Sequence, residues 1–176
     1  MTERLAAHLT EERIREILEE YRIAYERRDR QALLDFFADD AVMILAPGAF
    51  RGREGVTAVF DWDLHDTSTV RIRPLGVGLL VKGTVAVREV VFVATWKGIR
   101  YEYPNLAVFE FDDAGKIRAY RSYYDKLGIQ QRIAAQFPGI QGWLFRLMVN
   151  RLVREGEKGI DAHGESEWWA PRETNS

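Results

Sequence analysis

The 176-residue chain contains no cysteine, which excludes disulfides, thiol nucleophiles and thiolate metal sites. It also lacks a charge of one dominant sign. The 25 basic and 27 acidic residues leave a net charge of −2, and no clustered basic face of the kind that nucleic acid requires is evident. No apolar run approaches the roughly 20 residues needed to cross a bilayer. The opening MTERLAAHLTEER carries charges where a secretory signal would carry an apolar core. These absences lead to the expectation of a cytoplasmic protein with no nucleic-acid partner and no stable membrane insertion. What is present is ordinary for a globular protein: 47% apolar and 30% charged residues, in a length that suits one domain with a proper core.

Residues 10 to about 28 read as a helix. Thr10 is the candidate N-cap, Glu11 and Glu12 fall in the first turn, and Ile14, Ile17, Leu18, Tyr21 and Tyr25 share one face. A shorter helix follows from Asp29 or Arg30 to Ala38, with Leu33, Leu34, Phe36 and Phe37 as its apolar stripe, and AVMIL at 41–45 reads as a strand. A third helix starts near Glu54. Then the period changes to two. VRIRPLGVGLLV, GTVAVREVVFVATW, IRYEYPNLAVFEF and KIRAYRSYYD are strands, separated by turns at Val81-Lys82-Gly83, Lys97-Gly98 and Asp112–Gly115. The layout is α+β, with helices on one face of a curved sheet. Residues 1–128 form this unit, 129–155 a helical extension broken at Phe137-Pro138-Gly139, and 156–176 a polar, Gly-rich tail expected to be mobile.

The order helix, helix, FADDAV strand, GREGV helix and a meander closing on VFEFDDAGKIRAYRSYYD resembles the nuclear transport factor 2-like superfamily. Within it the SnoaL-like branch, with the polyketide cyclases and limonene epoxide hydrolases, is the best match, over residues 10 to 127. The resemblance implies a cone-shaped, curved antiparallel sheet wrapped around the N-terminal helices, a cavity at the wide end, and a homodimer through the outer sheet face. The apolar outward row Val85, Val87, Val91 and Val93 fits such a contact. Asp39 and Asp40 of FADDAV read as solvated turn and capping residues. No cofactor is implied. The fold hosts isomerases, dehydratases, hydrolases, cyclases and non-enzymatic binders, so it does not by itself assign an activity.

Matched onto the epoxide hydrolases, the inward arginine falls on Arg88, but the acids fall on Val90 and Ser122, and the water-holding tyrosine and asparagine on Met43 and Leu45. Without carboxylates to activate water, that reaction is not expected. Matched onto the ketosteroid isomerases, the oxyanion tyrosine falls on Tyr21, the base on Leu45 and the second oxyanion acid on Ala107. This resemblance supplies a donor without a base. The expected pocket is lined by Tyr21, Met43, Leu45, Trp62, Arg88, Val90, Phe92, Tyr103, Asn105, Tyr120, Ser122 and Tyr124. Aromatic walls with scattered polar points suit a flat, hydrophobic small molecule carrying a carbonyl or anionic oxygen. Arg88 and Tyr21 are the candidate catalytic pair of a lyase, isomerase or cyclase. The alternative is a non-catalytic binder, or an interaction module whose cavity is filled by the C-terminal helix.

Arg88 needs an anion, because a guanidinium facing an apolar wall is costly. The ligand supplies it, or a protein acid such as Asp61 or Asp63 does. In FDWDLHD, Asp61 and His65 stand one helical turn apart, but the cluster reads as a solvated helix end, and no metal site is assigned. His8 and His163 fall in the termini. The segment IQGWLFRLMVNRLVRE is unusually apolar, with Arg146, Asn150 and Arg154 as its polar stripe. It would cap the cone, pack on a partner subunit or lie on a membrane.

Overall fold

The structure is a computed structural model that describes residues 9–136 and 139–156. The expected mobile tail, His8 and His163 lie outside the described residues. Helix α1 (Glu11–Arg27) begins where the Thr10 hydroxyl accepts from the Arg13 N–H at 3.2 Å. It ends where Arg28 turns left-handed (φ 58°) and its N–H meets the Ala24 and Tyr25 carbonyls. Its buried face is Ile14, Ile17, Leu18, Tyr21, Ala24 and Tyr25, the stripe that the 3.6-residue period dictates. Loss of the cap in Thr10→Ala is expected to cost about 1 kcal/mol, read as a lower midpoint in a urea titration with an unchanged slope.

Helix α2 (Arg30–Asp35) is shorter than its apolar stripe suggests. The backbone is claimed instead by strand pairing: the Ile117 N–H donates to the Phe36 carbonyl at 2.8 Å, and β1 (Phe37–Leu45) starts at the next residue. FADDAV is therefore the start of the strand and not the end of the helix. Between Phe37 and Val42 the register with the neighbouring strand slips, and Asp39 and Asp40 stand exposed in that bulge. Strand β2 (Gly48–Arg51), in a stretch with no strand expected from the sequence, folds back on β1, and α3 (Gly52–Leu64) follows. The chain then meanders through β3 (Thr67–Lys82), β4 (Val85–Trp96), β5 (Ile99–Phe111) and β6 (Ile117–Tyr123).

The six strands form one sheet in the order β2-β1-β6-β5-β4-β3. All neighbours are antiparallel except β1 and β6, which run parallel. That exception follows from the connection: α3 carries the chain from the β2 edge to the far edge at β3, and the meander returns to close beside β1. Further register slips, at Pro74–Leu79 in β3 and Glu110–Phe111 in β5, add bends. The narrow end is filled by Leu18, Phe109, Phe111 and Ile117, each at most 2% exposed. On the outer face, Val91 and Val93 are already buried within the chain, with the Arg73–Glu102 ion pair (3.2 Å) among their cross-strand neighbours, while Val85 remains 37% exposed.

Helices α4 (Lys126–Gln136) and α5 (Gly139–Gly156) complete the described chain. The Asp125 carboxylate accepts from the Gly128 N–H at 2.9 Å and caps α4. Arg132 and Gln136 of α4 donate to the Glu102 and Arg100 carbonyls of β5, at 3.0 and 2.9 Å. Gln131 donates to Asn150 across the helix pair at 2.9 Å. Both helices are thus tied to one end of the sheet.

Candidate functional site

At the wide end of the cone a cavity of about 440 Å³ lies between α1, α3, the inner sheet face and α4. Each side chain expected there from the sequence stands on its wall. Helix α1 contributes Tyr21; β1 Met43 and Leu45; α3 Trp62; β4 Arg88, Val90 and Phe92; β5 Tyr103 and Asn105; and β6 Tyr120 and Ser122, with Tyr124 just beyond. Strand parity is the cause. Arg88 pairs with Ala107 and Ala107 with Ser122, while Phe92 pairs with Tyr103, so alternate residues of three strands face one way. Arg118, which parity groups with Tyr120 and Ser122, pairs instead with Glu110 at 3.3 Å beside the register slip. Trp62 is 62% exposed and forms the rim. The mouth is lined by Lys126, Ile129, Gln130 and Ile133 of α4 and by Phe145 of α5. The C-terminal helices therefore cap the cavity without filling it.

Arg88 does not pair with Asp61 or Asp63. Its Nη1 donates to the Leu18 carbonyl of α1 at 3.2 Å, and no ion pair among the described residues includes it. Burial lowers its pKa, partly offset by the nearby Tyr21 and Glu19. An arginine still keeps its charge under such a shift. Glu19 itself is held by Arg22, at 2.5 Å. Arg88 is thus a retained cation whose remaining donors face a mostly apolar cavity.

Tyr21 is 3% exposed and packs edge-on against Tyr25, Phe36, Phe37 and Phe109. Burial raises its phenol well above the ordinary value, with Arg88 pulling the other way. No described residue accepts its O–H, so the proton remains available to a ligand oxygen. On the opposite wall Asn105 donates to Ser122 at 2.6 Å. Burial pushes the pKa of the neighbouring Tyr120 phenol up to about 12, with Ser122 pulling the other way. Nearer the mouth, Phe92, Tyr101, Tyr103 and Tyr124 line up, with neighbouring ring centroids 5.3 to 6.1 Å apart.

FDWDLHD does not act as one cluster. Asp61 is tied to Arg30 on the surface, and His65 lies 3.2 Å from Asp66. Asp63 turns inward onto the cavity wall, which corrects its reading as part of a solvated helix end. Asp63 is half-buried and lines the cavity, and burial pushes its carboxyl up to about 6. No hydrogen bond or ion pair among the described residues reaches that carboxyl. Its charge raises the phenols of Tyr21, Tyr101, Tyr103, Tyr120 and Tyr124. Arg88, on β4, and Asp63, on α3, line the same cavity and form no ion pair with each other. A signal for Asp63 exists in the sequence: Val56, Val59 and Phe60 form the buried stripe of α3, and Asp63 is its next member at i+3 and i+4. Tyr25, Thr67, Trp96 and Tyr101 also line the cavity beyond the expected set.

This geometry can hold an oxygen between Arg88 and Tyr21 and present a carboxylate of near-neutral pKa to another part of the same molecule. Similar architecture occurs in several solved proteins. An uncharacterised Catenulispora acidiphila protein with a ketosteroid isomerase-like fold, in complex with trimethylamine, shares 18% identity (TM-score 0.60). A candidate SnoaL-like polyketide cyclase from Shewanella denitrificans shares 14% (TM-score 0.63), and a candidate polyketide cyclase from Xanthomonas campestris 22% (TM-score 0.62). Each alignment covers 70% of this chain and 98% of the other. At these identities the likeness concerns the fold. No curated protein matches the chain. The family model described as the SnoaL-like domain matches residues 18–120, from within α1 to the middle of β6, and the chain belongs to the SnoaL-like domain family.

Proposed function

We propose that the cavity binds a hydrophobic carbonyl or enol compound and moves a proton on it, as an isomerase, lyase or cyclase. One observation carries this reading: a carboxyl with no hydrogen-bond or ion-pair partner among the described residues, Asp63, shares a mostly aromatic cavity with Arg88, held only by the Leu18 carbonyl, and with the Tyr21 phenol. In the proposed step Asp63 takes a proton from the carbon beside the carbonyl, and the C–H electron pair moves onto the carbonyl oxygen as an enolate. Arg88 and Tyr21 hydrogen-bond that oxygen. Return of the proton from Asp63 to a different carbon gives an isomer. Attack of the enolate carbon on a second carbonyl of the same molecule gives a ring, with the proton delivered to the new alkoxide. A base with a pKa of about 6 is ionised at neutral pH yet basic enough to accept a proton in the transition state.

The similarity to candidate polyketide cyclases supports the choice of flat, polyoxygenated ring compounds as first probes. The test is deuterium exchange at the carbon beside the carbonyl across such a panel, followed by NMR. Exchange that rises with pH through about 6 and disappears in Asp63→Asn supports the proposal. Tyr21→Phe keeps the ring packing and removes one donor, so a loss of roughly 100- to 1,000-fold in exchange is expected, with the melting temperature little changed. Ligands that raise the melting temperature without exchange in any buffer would reduce the site to a binder. No shift with any probe would favour an interaction module.

A further inference from the structure

We propose that Asn105 is a specificity residue of the cavity: its amide oxygen accepts the hydroxyl of a ligand that carries one across the ring from its carbonyl. Apart from tyrosines, two polar residues are buried among the described residues, Thr67 and Asn105. Thr67 is satisfied, because its hydroxyl donates to the Asp63 carbonyl at 2.9 Å. Asn105 is only 8% exposed and lines the cavity. Its Nδ2 donates to Ser122 Oγ at 2.6 Å, and its Oδ1 receives no hydrogen bond among the described residues. A buried acceptor left without a donor is destabilising and uncommon in folded proteins. On a cavity wall, such an atom marks a place for a ligand donor.

The neighbours orient the amide. Ser122 lowers the pKa of the Tyr120 phenol against the effect of burial, as a hydroxyl that donates to the phenol oxygen does. With its single proton directed there, Ser122 can only accept from Asn105, which turns Nδ2 toward Ser122 and leaves Oδ1 free. Between mostly aromatic walls, a neutral hydroxyl is a donor that enters with less desolvation than an ammonium. The sheet sets where that hydroxyl lies. Arg88 pairs with Ala107, and Asn105 stands two residues along β5 from Ala107 on the same face, opposite Val90. Two residues of strand span about 7 Å, comparable with the separation of two oxygens across a substituted benzene ring. Phe92 and Tyr103 form the next row toward the mouth. A flat ring held at its carbonyl by Arg88 and Tyr21 therefore meets Asn105 with its far side. This inference rests on the proposed carbonyl site and names its ligand class: aryl ketones with a hydroxyl across the ring from the carbonyl.

The test is NMR titration of the full chain at pH 7 with 4-hydroxypropiophenone, its parent propiophenone and 4-methoxypropiophenone, which keeps the oxygen and lacks the O–H. Wild type is expected to bind the hydroxy compound roughly tenfold tighter than either of the others. Asn105→Leu is expected to bring the three affinities together. Equal affinities in wild type overturn the inference, as does a preference that survives in Asn105→Leu or binding of none of the three. The wild-type comparison decides even where Asn105→Leu does not fold. The carbon beside the carbonyl of each ketone is also open to deuterium exchange. A hydroxyl preference without exchange leaves Asn105 in its role and removes the proton-transfer reading, whereas exchange without a preference does the reverse.

Discussion

At pH 8, Asp63→Asn is expected to melt several degrees above wild type. The carboxyl has an ordinary value of 3.8 and is pushed up to about 6 by burial. The folded state therefore holds its proton more tightly than the unfolded state does. Well below pH 3.8 both states are protonated and the group contributes nothing. As pH rises from there to about 6, the unfolded chain ionises freely while the folded chain must ionise inside the cavity, and stability falls. Above that window the penalty is complete and on the order of 3 kcal/mol. Asparagine removes the charge at nearly the same volume. A gain of up to about 5–10 °C is expected in a chain of this size. The same scan at pH 3.5 should show no difference. Because Asp63 is also the proposed base, the substitution should remove proton exchange while strengthening the fold, the trade expected of a strained active-site group. A variant that melts lower at pH 8 would show that Asp63 has a stabilising partner.

The second large effect concerns Arg88. Arg88→Met keeps a long, flexible stem and removes the cation. Hydrogen bonds to a charged group are worth roughly 1.5–3 kcal/mol, so hydrophobic carboxylates and polyphenols should lose about ten- to a hundredfold in affinity by calorimetry. Stability should hold or rise, because the guanidinium has only the Leu18 carbonyl as a hydrogen-bond acceptor and no ion pair among the described residues. Retained affinity for anionic ligands would mean that the oxygen sits elsewhere. A sharp loss of stability would mean that Arg88 is structural.

The cavity wall was legible in the sequence because strand parity is rigid. Once Arg88 and Tyr103 are assigned to one face, Val90, Phe92 and Asn105 follow from the pleat, and the pairings Arg88–Ala107 and Phe92–Tyr103 bring the rows together. Where parity breaks, reading fails. FADDAV lies in a register slip and Arg118 beside another, and nothing in either sequence marks the extra residues. The short β2 also escaped, since Gly48-Ala49-Phe50-Arg51 pairs only with its neighbour β1. Asp63 was missed for a different reason. Three acids and a histidine within FDWDLHD look like a solvated helix end, and a turn of about 100° per residue decides which one faces in. The apolar stripe Val56–Val59–Phe60 points to Asp63, but the density of charge around it obscured that cue. Asp63, the carboxylate on the cavity wall, stands on a helix and not on a strand.

The most direct test is the titration of Asp63 itself. With aspartate labelled at the side-chain carboxyl carbon, the Asp63 resonance can be assigned by its loss in Asp63→Asn and followed by NMR from pH 3 to 9. An inflection near pH 6 is expected. An inflection at or below the ordinary carboxylate value would mean that the group is solvated or ion-paired, and the proposed base would be gone.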